Sequence, residues 1–152
     1  MLFRSLLSPS NEVVLVTSSR LAEVFAHDAG SPAHGAELAA EVVALSGATA
    51  PRIAVGSSTW FADGASSDAA DAIVEVARAH PQDADTPLVL VCAGPLTNVA
   101  QAIAQDPGIC ALLTLVWVGG SLGEGFEYNR DTDAPAAEFV FSRPDLEDRK
   151  ST

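Results

Sequence analysis

The tripeptide Glu127-Tyr128-Asn129 carries the most specific chemistry in this chain. In an extended segment its two polar side chains share one side and the aromatic faces the other. A carboxylate accepts hydrogen bonds from hydroxyls, and a carboxamide both accepts and donates. Such a pair suits the neighbouring hydroxyls of a ribose; read alone, it is equally an exposed polar loop. Asp131 and Asp133 follow as a D-x-D pair that invites a metal reading. The preferred reading gives Asp133 to a helix cap and Asp131 to a neighbouring arginine.

A second polar motif, Ala93-Gly94-Pro95-Leu96-Thr97-Asn98, joins an apolar run to a helical one. Gly94 permits an unusual backbone angle and Pro95 presets the helix entry, which leaves free N–H groups facing a cleft. As a bare motif it is also a generic strand-to-helix junction. The three histidines read as structural. His80 falls at a helix C-terminus, where the dipole favours positive charge. His27 and His34 flank the loop Asp28-Ala29-Gly30-Ser31-Pro32. No Ser-His-Asp or Cys-His arrangement is evident, and Lys150, the sole lysine, belongs to no glycine-rich phosphate loop.

These motifs need a frame. The chain has 152 residues, 48% hydrophobic and 18% charged, which suits one globular domain. A formal charge of -12 argues against nucleic acid or an anionic membrane as partner. Cys92 and Cys110 make neither a disulfide framework nor a metal spacing, so a reducing cytoplasm is the expected compartment. The Leu2–Leu7 stretch is too short and too interrupted by Arg4 for a signal-peptide core, and no apolar run is long enough to cross a bilayer.

Strands are expected at Val13–Val16, Arg52–Val55, Pro87–Cys92 and Leu112–Val118, all short, apolar and rich in β-branched residues. Helices are expected at Gly35–Leu45 with Gly47 as the stop, at Ser67–Ala79, at Leu96–Gln105, and at Pro135–Phe141 behind an Asp133 cap. Their alternation predicts an α/β fold, a mostly parallel, Rossmann-like sheet with helices on both faces. Ligands in such folds bind at the carboxyl ends of the strands. Here those ends read Thr17-Ser18-Ser19, Gly56-Ser57-Ser58, Ala93-Gly94-Pro95 and Gly119-Gly120-Ser121. The domain is expected to span 1–142, and the polar tail 143–152 to be disordered.

With Val116-Trp117-Val118-Gly119-Gly120 between them, the two polar motifs resemble the nucleoside hydrolases of the inosine/uridine-preferring type. The resemblance implies hydrolysis of the N-glycosidic bond of ribonucleosides to ribose and base. It carries ribose binding over to Glu127 and Asn129, and puts Val118 where a methionine near the ribose is expected. It also gives the Ala93 main-chain carbonyl to a calcium ion.

The resemblance covers only about half of a member. Members open with an Asp-rich D-x-D-x-x-x-D-D loop that holds calcium and activates water, and Met1 falls where that loop should just have ended. Later segments that would supply a metal-binding Asp and a His for the leaving base are likewise not in these residues. One carbonyl does not hold a hard cation, so calcium is not expected to be retained and the chain is expected to be inactive or weak. A non-catalytic sugar- or nucleoside-binding module, and a reading frame that continues beyond these residues, stand as alternatives. If the strand before Met1 is central in the sheet, its neighbours expose edges, which predicts self-association or a borrowed strand.

Overall fold

Short apolar runs become strands and alanine-rich stretches become helices, the two kinds alternating along most of the chain. A computed structural model describes residues 5–8, 10–22, 31–81, 86–120 and 125–146. Strand β1 (Leu15–Thr17) leads through helix α1 (Pro32–Ser46) to β2 (Arg52–Ala54). A short 3-10 turn at Phe61–Asp63 precedes α2 (Asp68–Ala79), which leads to β3 (Val89–Cys92). Helix α3 (Thr97–Gln105) and a second 3-10 turn (Pro107–Ala111) lead to β4 (Thr114–Trp117), and α4 (Tyr128–Asp131) and α5 (Ala134–Phe141) close the order.

The α/β class and the parallel pairing are as expected, but the sheet comes as two ladders. β1 pairs in parallel with β2, Leu15 opposite Arg52 and Thr17 opposite Ala54. β3 pairs in parallel with β4, Val89 opposite Thr114 and Cys92 opposite Trp117. Among the described residues no ladder bond joins the two pairs.

Most expected helix ends are where local chemistry puts them. Ser67 caps α2 by accepting from Ala70 N, and Asp133 caps α5 by accepting from Ala136 N. Gly47 ends α1 in the left-handed region at φ 66°, where a side chain would be strained. Helix α1 begins earlier than the Gly35 expected. Ser31 and Pro32 belong to its start rather than to a loop, because Ser31 caps the helix and Pro32 fills its first turn.

The core lies around α3. Val99, Ala100, Ala102 and Ile103 of that helix are buried with Ala70, Ile73 and Ala77 of α2, Leu115 and Trp117 of β4, and Ala136 and Val140 of α5. Alanines let the helix axes approach closely, so α3 is enclosed by α2 and α5 and leans on the β3–β4 ladder. Leu15 packs both on this cluster and on the smaller one formed by Ala54, Ala69 and Ala72, which ties β1 to α2. No described helix is long and apolar enough to cross a membrane.

Candidate functional site

The carboxyl ends of the strands gather at one end of the fold, held there by buried polar side chains from α3. Asn98 is buried and donates from Nδ2 to the Ser18 carbonyl at 2.7 Å. Its Oδ1 accepts from Ser57 N at 3.1 Å, and Gly56 N donates to Ser18 Oγ at 3.1 Å. One carboxamide thus binds the ends of β1 and β2 together. One turn further along α3, Gln101 accepts from Ser67 Oγ at 2.8 Å and donates to Ser57 Oγ at 3.0 Å. A Cβ at Gly56 would lie 2.1 Å from the Ser18 carbonyl oxygen, so only glycine fits there. Sequence reasoning missed this latch. Its signal was Thr97, Asn98 and Gln101 in a helix whose other positions are apolar up to its last residue, Gln105.

Gly94 does not use the angle for which it was singled out, since the glycines with positive φ among the described residues are 47, 64, 120 and 125. Its carbonyl instead accepts from Trp117 Nε1 at 3.0 Å. Leu96, Thr97 and Asn98 at the start of α3 are buried, so that helix end is packed rather than open to a cleft. Cys92 has its thiol buried beside the Gly94 carbonyl, which it approaches at 3.4 Å. Burial pushes the thiol up to about 11 and leaves it a poor nucleophile near neutral pH.

At the end of the β3–β4 ladder the sequence-predicted residues come together. Val118 N donates to the Cys92 carbonyl at 3.0 Å, which sets exposed Ala93 beside exposed Val118. Asn129 Nδ2 donates to the Val118 carbonyl at 2.6 Å, and Glu127 Oε2 accepts from Gly120 N at 3.2 Å. Glu127, Asn129, Val118 and Ala93 therefore share one corner. A cavity of about 370 Å³ opens beside it, lined among others by Trp117, Gly119, Gly120, Arg130, Glu138 and Phe141.

The route to that corner differs from the expected one. Glu127 itself is extended, but Tyr128 starts a helical turn, so strand-like alternation does not aim these side chains. The carboxylate of Glu127 caps that turn, Oε1 accepting from Asn129 N at 3.0 Å and Oε2 from Arg130 N at 2.9 Å. Tyr128 turns away, and its hydroxyl accepts from Ala22 N at 3.3 Å, which fastens α4 to the segment after β1.

The D-x-D pair divides as the sequence suggested. Arg130 grips Asp131 through Nε at 2.6 Å and through a second nitrogen at 2.9 Å, and Glu127 N donates to it at 2.7 Å. The guanidinium and that N–H hold the Asp131 carboxyl down at about 2. Asp133 is buried and accepts from Thr97 Oγ1 at 2.5 Å, Phe61 N at 3.0 Å and Ala136 N at 3.3 Å. The two carboxylates do not share an opening. Among the described residues no group of three or more His, Cys, Asp or Glu side chains is placed to hold a metal ion.

His34 sits in the first turn of α1 with Nδ1 3.5 Å from Glu37, and His80 Nε2 lies 3.0 Å from the Thr86 carbonyl oxygen. Neither adjoins the corner formed by Val118 and Glu127 in any of these contacts. His27 and most of its loop lie outside the described residues, as do Ser121 and residues 147–152 of the tail.

Comparison with known proteins converges on one family. The family model of the inosine-uridine preferring nucleoside hydrolases matches residues 11–149. Among solved structures, an inosine-guanosine nucleoside hydrolase superposes with a TM-score of 0.71 at 20% identity, covering 95% of this chain and 52% of its own. An inosine-uridine preferring nucleoside hydrolase from Bacillus anthracis gives 0.57 at 21% identity, covering 91% of this chain and 44% of its own. None of the curated proteins compared with it matches in sequence. The chain belongs to the inosine-uridine preferring nucleoside hydrolase family, and spans about half the length of the structures it resembles.

Proposed function

We propose, on the premise of that family membership, that this chain binds a ribonucleoside through its ribose at the corner formed by Val118, Glu127 and Asn129. The observation that carries the proposal is the convergence of both polar side chains on the backbone at the end of β4. A carboxylate offers about four lone-pair sites. Glu127 uses three in the contacts to Gly120, Asn129 and Arg130, which leaves acceptor capacity for a sugar hydroxyl. The amide group of Asn129 is held by the Val118 carbonyl, which orients its Oδ1. Val118 is 40% exposed and offers an apolar wall to the ring. The adjoining cavity is within the size range of small-molecule sites.

Hydrolysis is a further demand. Cleavage of the glycosidic bond in the family calls on calcium to activate water, and calcium takes about six to eight oxygen ligands. The described donors do not fit that need: Ala93 offers a carbonyl, Asp131 is held by Arg130, and Asp133 is taken by Thr97, Phe61 and Ala136. We therefore propose that these 152 residues by themselves bind and orient a nucleoside but leave it uncleaved or cleave it weakly. A cytoplasmic setting agrees with the two free cysteines.

Calorimetric titration with inosine and uridine, with and without calcium, tests this reading. The expected result is metal-independent binding, lost at least tenfold in Glu127→Ser. Serine retains capping ability, so this variant separates the sugar contact from the helix cap. Binding unchanged in Glu127→Ser overturns the ribose assignment. Ribose release with calcium at the rate of a whole family member overturns the inactivity.

A further inference from the structure

We infer that Phe126 is the platform on which the nucleobase stacks, and that it inclines this chain toward purine nucleosides. The inference rests on the ribose corner proposed above and adds the base to it. Phe126 is 68% exposed, the most exposed aromatic side chain among the described residues. A single exposed apolar side chain is ordinary on a protein surface. This one differs because the backbone on both of its sides is fixed.

One ion pair does the fixing. Arg130 donates from Nη2 to the Gly125 carbonyl at 3.0 Å, and Asp131 accepts from Glu127 N at 2.7 Å. Arg130 and Asp131 hold each other at 2.6 Å and 2.9 Å. The peptide groups before and after Phe126 are thus tied to the same two side chains. Gly125 enters the segment at φ 138°, an angle that favours glycine. Glu127 is anchored in its turn, its carboxylate accepting from Gly120 N, Asn129 N and Arg130 N. None of these bonds buries the ring. They order the backbone of an aromatic side chain that stays open to solvent, which is the arrangement of a preorganised binding group.

The ring is oriented as well. Phe126 and Tyr128 meet edge to face, with centroids 6.5 Å apart and planes at 72°. Such a contact engages at most one face of Phe126 and leaves the other open. The Tyr128 hydroxyl reaches from α4 to Ala22 N, beyond the end of β1. The two rings therefore lie along the side of the ribose corner that faces β1. Between the corner and β1 the floor is made of small residues. Exposed Ala93 lies beside Val118, and a Cβ at Gly94 would lie 3.7 Å from Ser19 Oγ. Glu127, which grips the ribose in this reading, is the next residue after Phe126, with Cα atoms about 3.8 Å apart. A base directed from that ribose over Ala93 and Gly94 comes within reach of the open face. A flat aromatic ring stacks on any base, and a two-ring purine covers more of it than a pyrimidine does.

Calorimetric titration of the 152-residue chain with inosine, uridine and methyl β-riboside, a sugar without a base, tests the platform. Phe126→Ala is expected to weaken inosine binding about fivefold or more, uridine binding less, and methyl riboside binding not at all. Phe126→Trp is expected to match or exceed the original affinity for inosine. In the unaltered chain, inosine is expected to shift the Phe126 ring protons upfield through the ring current of the stacked base, and methyl riboside to leave them unmoved. Should Phe126→Ala not fold, that shift decides. Inosine affinity unchanged in Phe126→Ala, an equal loss for all three ligands, or ring protons unmoved by inosine would each overturn the inference, while methyl riboside binding keeps the ribose corner. Inosine binding that depends on Phe126 with no methyl riboside binding keeps the platform and overturns the ribose corner. Binding of none of the three overturns both.

Discussion

Asp133→Ala is expected to be among the most damaging single changes in this chain, and its cost can be worked from the contacts. The side chain is 2% exposed and joins three elements: Thr97 Oγ1 of α3, Phe61 N of the first 3-10 turn and Ala136 N of α5. Loss of a helix cap costs about 1 kcal/mol. Each buried donor left without its acceptor costs about 1–3 kcal/mol. The contributions overlap because the three donors share one carboxylate, so about 3–5 kcal/mol is expected in total. Urea unfolding followed by the fluorescence of Trp60 and Trp117 measures it. In a Thr97→Val background the hydroxyl is already gone, and the penalty is expected to shrink by about 1 kcal/mol, the contribution of that contact. A penalty under about 1 kcal/mol for Asp133→Ala would refute the view that this carboxylate joins the three elements rather than capping α5 alone.

Two further outcomes follow from the geometry. Gly56→Ala is expected to destabilise by about 3 kcal/mol or more, because the new Cβ meets the Ser18 carbonyl and pushes apart the strand ends that Asn98 joins; Gly64→Ala, with nothing within 4 Å, serves as the control for a clash and reads only backbone strain. Asp131 has its carboxyl held at about 2, below the ordinary value of 3.8, so its contribution is present above about pH 4 and is lost as pH falls through 2; its carboxyl resonance is expected to titrate near 2 in the native chain and to move toward the ordinary range in Arg130→Gln, and an unmoved midpoint would assign the depression to Glu127 N instead.

The parts of the fold set by local chemistry were legible in the sequence. Asp133 as a cap, Ser67 as a cap and Gly47 as a stop each depend on one residue and its nearest turn. Their physics is contained in a few neighbouring positions. What was not legible depends on residues distant in sequence. The division of the sheet into two ladders is invisible in Val89–Cys92, because a central strand and an exposed one can share the same apolar run. Asn98 gave no hint that it would reach Ser18 and Ser57, far earlier in the chain. Glu127 and Asn129 do belong together, but through a different geometry: alternation along a strand does not aim them, and a helical turn capped by Glu127 brings them to β4.

That last difference bears on how a family pattern should be read in a chain of this kind. Glu127, Asn98 and Asp133 all hold the backbone of this chain, whatever else they touch. A residue that caps a turn or joins two strand ends is retained for folding even where catalysis makes no demand on it. The match over residues 11–149 is therefore what a fold-bearing half would give, with or without turnover. Chemistry has to be argued from groups with spare capacity. At the end of β4 those are the remaining acceptor sites of Glu127 and the Oδ1 of Asn129, on which the proposed ribose contact depends. The Asp131 and Asp133 carboxylates have no such reserve, because they are committed to Arg130, Thr97 and the backbone.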